Sequence, residues 1–178
     1  MGKVIITFQM TADGSIGPTM GWHTGDGQDG ADADDLRLGD AMLLGRKTYE
    51  SISSYWKPLT DPFAERVNTM PKYIASTSLT EPLDWNATLI KGDLAEEVRR
   101  LKAQHTGNLL SYGCGELAFN LVKAGLVDEI DFWVHPIVWN ESVRPFHGLG
   151  HVRLKLKAVH VLHTGVVLQK YEPLSVEA

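Results

Sequence analysis

Short apolar blocks separated by glycine, proline and acidic residues set the rhythm of this chain. Residues 3–10 (KVIITFQM) form a β-branched, nearly continuous apolar run, the pattern of a strand buried on both faces. Residues 41–44 (AMLL) predict a second buried strand running straight into Gly45, residues 72–76 (KYIAS) a third, 87–90 a fourth and 109–112 another. Residues 129–138 predict a long strand interrupted by Pro136, which points to an edge or a bulge there. Residues 152–171 predict two strands joined around Thr164 and Gly165.

Helical signals lie between these strands. Asp93 and Glu96 stand at capping-box spacing, and Leu94, Val98 and Leu101 recur on one face, so residues 93–104 predict a helix. Residues 116–124 predict another, ended by Gly125 in a left-handed cap. A third follows Gly45 over residues 48–53, with Glu50 in its first turn, where a negative charge suits the helix dipole. Residues 36–40 make at most a short helix, residues 57–70 with Pro58 and Pro62 read as a surface excursion, and Glu81 with Pro82 marks a turn. Residues 11–35, dense in Gly and Asp, read as a long loop ending near a helix start at 32–35. Strands alternating with helices and closing in a hairpin predict an α/β fold. Its central sheet is mixed and mainly parallel, is flanked by helices and carries a C-terminal antiparallel hairpin.

Composition narrows this picture. With 178 residues, 43% of them hydrophobic, the chain is long enough for one domain with a sizeable core, so residues 1–178 are read as a single domain. A net charge of -5 without any basic run argues against a nucleic-acid partner. Cys114 is the single cysteine and the seven histidines fall into no metal-ligand spacing, so neither a disulfide framework nor a metal site is expected. No apolar stretch is long enough for a signal segment or a membrane span, and a cytoplasmic protein is the expectation.

Three segments carry candidate chemistry. Gly45, Arg46, Lys47 and Thr48 sit at a strand-to-helix junction, where free helix N–H groups and two cations can hold a phosphate monoester. Gly113, Cys114, Gly115 and Glu116 form a second strand–glycine–helix junction, suited to a pyrophosphate, although Glu116 would repel one if it faced inward. Together, two anion sites on one sheet suggest a dinucleotide. The third segment, residues 11–16 (TADGSI), is a turn at the carboxyl end of the first strand, where open α/β sheets bind ligands; its plain reading is an Asp-Gly turn. Cys114 is read as buried or passive for want of a spaced partner.

In this order, TADGSI, LLGRKTYES, KYIASTSL and YGCGELAFNLVKAGLVDEI with FWVHPIV resemble the dihydrofolate reductase-like superfamily, and within it the riboflavin-biosynthesis reductase (RibD C-terminal) family. That resemblance implies an NADPH-dependent reductase passing a hydride to a small heterocyclic or carbonyl substrate. It places the adenosine-side phosphates on Gly45, Arg46, Lys47 and Thr48, and the adenosine beside Ser76, Thr77 and Ser78. The pyrophosphate falls between Gly113, Cys114, Gly115 and Glu116, and the nicotinamide beside Ala12 and Ile16. The carboxylate that such enzymes place beside the substrate falls among Asp29, Asp32, Asp34 and Asp35, with Asp32 and Asp34 as the catalytic candidates.

Departures from the family pattern matter too. Met70 and Pro71 stand where dihydrofolate reductases carry an arginine for the folate tail, which argues against folate. Thr77 stands where riboflavin-type relatives often carry the arginine that reads the 2′-phosphate, leaving that task to Arg46 and Lys47. Trp139, Asn140, Glu141 and Ser142 replace a glycine-rich turn. Trp22, Tyr49 and Trp56 are candidates for stacking on a planar substrate, with plain packing as the alternative. Two rival readings stand beside the enzyme: a nucleotide-binding regulatory module without turnover, and an interaction protein whose EIDFWVHPIV strand pairs across a two-fold axis in a homodimer.

Overall fold

The computed structural model describes residues 1–17, 21–23, 39–140 and 143–177. Eight strands form one sheet: β1 (Val4–Thr11), β2 (Gly39–Gly45), β3 (Lys72–Ala75), β4 (Ala87–Leu89), β5 (Asn108–Tyr112), β6 (Glu129–His135), β7 (His151–Val161) and β8 (Val167–Glu177). Four helices stand among the described residues: α1 (Arg46–Trp56), α2 (Pro62–Thr69), α3 (Leu94–Gln104) and α4 (Glu116–Lys123). The strand order is β4-β3-β2-β5-β1-β6-β8-β7, parallel from β4 to β6, with β8 running antiparallel to both β6 and β7.

Strands buried on both faces need helices on both faces, and the direction of travel supplies them. From β2 the chain steps outward through α1 and α2 to β3 and β4; it then returns through α3 to insert β5 between β2 and β1, and moves on through α4 to β6. The period-two pattern of the central strands is shared between two cores accordingly. Val4, Ile6, Phe8, Ala41, Leu43 and Leu109 pack with Val98 and Leu101 of α3 and with Ala118, Leu121 and Val122 of α4. Their neighbours Ile5, Met42, Leu44 and Leu110 pack on the other face with Tyr49 of α1, Val67 of α2, Met70, Ile74 and Trp85.

Several elements differ from what the residues predicted. Within residues 57–70, read as a surface excursion, α2 begins at Pro62 and buries Ala64 and Val67. Asp61 Oδ1 accepts from Phe63 N and Ala64 N, both at 3.1 Å, and proline at the first helical position sacrifices no intrahelical bond. The strand expected over 129–138 stops at His135, before Pro136. It is no edge: β6 is hydrogen-bonded to β1 on one side and β8 on the other, so it cannot pair across a two-fold axis, and the outer strands are β4 and β7. Helix α1 starts at Arg46 rather than at residue 48, which moves Glu50 out of the first turn. Gly39 and Asp40, expected in a short helix, open β2; residues 36–38 lie outside the described residues.

Lys72 is fully buried at the start of β3, for a reason visible one helix earlier. The carbonyl of Val67 would meet the N–H of residue 71 in a continuing helix, but Pro71 has none. Lys72 Nζ folds back to donate to Val67 O at 2.5 Å and Asn68 O at 2.9 Å, and lies 4.2 Å from the centre of the Trp85 ring. Burial pulls its pKa down from 10.5 to about 8. Between those values the unfolded chain holds a proton that the folded chain has shed, so stability rises with pH across that window.

Lys72→Met leaves two helix-end carbonyls without donors and is expected to lower stability at neutral pH by about 1–3 kcal/mol. In urea titrations the stability gap between wild type and this variant should widen as pH rises from 8 to 10.5. Asp93, whose Oδ1 accepts from Glu96 N at 2.9 Å, caps α3, and Asp93→Ala is expected to cost about 1 kcal/mol in the same assay.

Candidate functional site

Where β5 enters between β2 and β1, the chain leaves β2 toward one face and β5 toward the other, so the carboxyl ends of these strands part. Ligands of open α/β sheets bind in such crevices. Here the crevice is a cleft of about 560 Å³, walled by the starts of α1 and α4, by the turn after β3 and by the residues between β4 and α3.

The helix ends distinguish this cleft from the rest of the molecule. Helices α2 and α3 begin on aspartate caps, Asp61 and Asp93. Helices α1 and α4 begin on Gly45 and Gly115 and have no side-chain cap, and both residues line the cleft. First-turn N–H groups without a side-chain cap, at the positive ends of two dipoles, are groups that can receive an anion. A Cβ on Gly115 would meet nothing within 4 Å, so the ligand side of the α4 start stands open. Gly113 sits at φ +96, a conformation that a side chain disfavours, and its N–H donates to Thr7 O at 2.9 Å. A Cβ there would lie 3.5 Å from Thr48 Oγ1, so the two junctions approach each other closely. These features fit a diphosphate.

The two cleft cations differ in state. Arg46 Nη1 donates to Glu50 Oε2 at 3.1 Å and Oε1 at 3.2 Å, whereas Lys47 is exposed and carries no ion pair among the described residues. Ser76 Oγ accepts from Ser78 N and Leu79 N, both at 3.1 Å, closing the turn that presents Thr77 and Ser78 at the cleft. Glu116 is exposed at its rim.

Of the residues singled out from the sequence, Gly45, Arg46, Lys47, Thr48, Ser76, Thr77, Ser78, Gly113, Gly115 and Glu116 are brought together in this cleft. Cys114 is not among its walls; its side chain packs against the α3–α4 core, and burial pushes the thiol up to about 12. Ala12 and Ile16 stand at the carboxyl end of β1, outside the cleft walls, held by bonds from Ala12 N to Ile137 O at 2.9 Å and Ile16 N to Val143 O at 3.0 Å. Asp29, Asp32, Asp34 and Asp35 lie outside the described residues.

Asp13 has a role that the plain turn reading missed. Its carboxylate accepts from Thr11 Oγ1, from Ser15 Oγ at 3.0 Å, from Trp139 N at 3.2 Å and from Asn140 N at 2.9 Å. The Thr11 hydroxyl first, then the other donors, hold its pKa well below the usual carboxylate range. It is therefore an acceptor that ties the β1 loop to the segment after β6, without a proton to give at neutral pH. The visible signal is the alternation of hydroxyls around it in Thr11, Asp13 and Ser15.

A second set of residues was also missed. On the α1 face of β1 and β6, Trp133 Nε1 donates to Thr7 Oγ1 at 2.9 Å, and His135 Nε2 lies 2.6 Å from Gln9 Oε1. Trp22, singled out from the sequence as a stacking candidate, is buried and meets His135 edge-on, with centroids 5.0 Å apart. Polar residues inside otherwise apolar strand runs were the available signal. Tyr49 and Trp56, by contrast, serve packing: the Tyr49 hydroxyl donates to Asp84 Oδ1 at 2.7 Å, and Trp56 stacks at a tilt against Phe63, 5.3 Å away.

Known proteins resemble this chain in sequence or in fold. The Bacillus subtilis protein YyaP, itself uncharacterised, is 29% identical over 174 residues, covering 93% of this chain and 92% of that protein. A riboflavin-biosynthesis-like protein from Shewanella sp. PV-4 matches with a TM-score of 0.73 at 20% identity, covering 97% of this chain and 99% of that one. A diaminohydroxyphosphoribosylaminopyrimidine deaminase/5-amino-6-(5-phosphoribosylamino)uracil reductase from Thermotoga maritima matches with a TM-score of 0.68 at 16% identity, covering 97% of this chain and 57% of that one. At such identities the structures establish the shared fold, the dihydrofolate reductase-like α/β architecture that the motif order implied. The RibD C-terminal domain family matches residues 2–169, and this protein belongs to that family.

Proposed function

We propose that this protein is an NADPH-dependent reductase that passes a hydride to a small heterocyclic or carbonyl substrate, in the manner of dihydrofolate reductase or of 5-amino-6-(5-phosphoribosylamino)uracil reductase. The observation that carries this reading is the pair of uncapped helix N-termini, α1 and α4, facing one cleft at the sheet's reversal point. Family membership and the reductase relative support it.

In this reading the starts of α1 and α4 hold the diphosphate, Arg46 and Lys47 receive the monoester, and Ser76, Thr77 and Ser78 flank the adenosine. The other end of the ligand extends toward Ala12 and Ile16 at the end of β1. When bound, the nicotinamide supplies the hydride; the chain's own contribution is orientation in a water-poor site. Gln9, His135 and Trp22, on the α1 face of the sheet near the end of β1, form a polar and aromatic cluster in which His135 and Trp22 are buried. Asp13 supports the β1 loop and supplies no proton, so the proton comes from water or from another loop aspartate, with Asp32 and Asp34 as the candidates. A cytoplasmic setting suits the single cysteine.

A second reading, a module that binds the nucleotide without turning it over, is motivated by the unassigned acid and by Trp139, Asn140, Glu141 and Ser142 in place of a glycine-rich turn. Loss of nicotinamide absorbance on adding 5-amino-6-(5-phosphoribosylamino)uracil or another small heterocycle separates the two.

Titration of tryptophan fluorescence with NADPH and NADH tests the cofactor. NADPH should bind, and Arg46→Ala should weaken it about tenfold, the loss of one charged hydrogen bond, while affecting NADH less. Failure of both nucleotides to bind would sink the reductase reading. Gly113→Ala, forced to φ +96, should lose about 1–3 kcal/mol of stability in urea and weaken NADPH binding, because it displaces the junction facing Thr48.

A further inference from the structure

We propose that Glu50 tunes the cofactor preference of the cleft by competing with the cofactor's phosphate monoester for Arg46. The inference rests on the nucleotide reading above and concerns a residue outside the cleft walls.

Arg46 is the first residue of α1, and Glu50 lies one turn further along. Helical side chains lean toward the N-terminus, so an arginine at the first position naturally reaches toward the cleft and its anion. Here a single nitrogen, Nη1, contacts both oxygens of the Glu50 carboxylate. While that contact holds, the Arg46 guanidinium, itself one of the cleft walls, shares its charge with Glu50 rather than offering it whole to a phosphate monoester.

The pair is also easily displaced. Its side chains are 41% and 47% exposed, and the cation precedes the acid, the less favourable order along a helix. A phosphate monoester carries nearly two negative charges at neutral pH against one on Glu50, so a bound monoester captures the guanidinium. Its apparent affinity is nevertheless reduced by the fraction of Arg46 that Glu50 holds. Lys47, exposed beside it and without an ion pair among the described residues, is committed to no such exchange. NADH carries no monoester and has nothing to gain from Arg46's release, so Glu50 bears on the difference between the two nucleotides.

The test is a double-mutant cycle read by equilibrium binding of NADPH and NADH to the whole protein. Glu50→Gln, an isosteric change at an exposed site, should tighten NADPH relative to NADH by roughly two- to fivefold, the range of one exposed ion pair. In the Arg46→Ala background the same substitution should change nothing. Equal effects of Glu50→Gln on both nucleotides, or no effect on either, would overturn the proposal. So would a gain for NADPH that persists without Arg46, since Glu50 would then act as a bare repulsive charge. Absence of binding by either nucleotide to wild type defeats the nucleotide reading and this inference with it, a result distinct from binding that Glu50→Gln leaves untouched.

Discussion

Strand β5 enters between β1 and β2 and makes parallel hydrogen-bonded ladders with both, and the remaining architecture follows from that insertion. It needs strands apolar on both faces, because a three-strand centre with helices above and below leaves no wet side. Leu109 and Leu110 of β5 each serve a different core, as do Ile5 and Ile6 of β1 and Leu43 and Leu44 of β2. Leu109 N donates to Lys3 O at 2.7 Å at one end of the junction and Gly113 N to Thr7 O at the other, so the β1 ladder extends into the glycine turn of the cleft. The same constraint that packs the core thus opens the binding crevice and fixes the turn at its floor.

Much of this was legible because local chemistry and global fold agree. The run VIITF, the leucines before Gly45 and the Asp93 cap are each explained by their own neighbours in sequence, and so are the two glycine junctions. Where the reading failed, a residue type had two meanings. Pro62 was taken as a breaker, yet after Asp61 it starts a helix, because the first turn has no use for its missing N–H. Pro136 was expected to disturb a strand that it simply terminates, and the apolar EIDFWV segment that looked suited to an edge lies third from one end of the sheet. Strand order is a long-range property that a single apolar run does not encode.

The cleft was more legible than the groups around it. Backbone anion sites announce themselves through glycine at strand ends, whereas side-chain partnerships join residues far apart in sequence. Asp13 meets Trp139 and Asn140, and Gln9 meets His135, across more than a hundred residues in each case. Nor does the order G-R-K-T reveal that Arg46 spends its charge on Glu50, since i,i+4 pairs are as common on idle helix faces as on binding ones.

The contrast between aspartate caps on α2 and α3 and glycine caps on α1 and α4 has a thermodynamic consequence. A helix end satisfied by its own side chain is equally secure whether or not a ligand is present. One left open for an anion is under-stabilised until an anion arrives, so on the proposed reading part of the protein's resistance to unfolding belongs to its ligand. By mass action that share grows with the logarithm of ligand concentration, reaching about 2.7 kcal/mol at a hundred times the dissociation constant. On the proposed nucleotide reading, stability of this molecule in a cell is linked to the local supply of that ligand, and a drop in the supply would register first as fraying at the starts of α1 and α4.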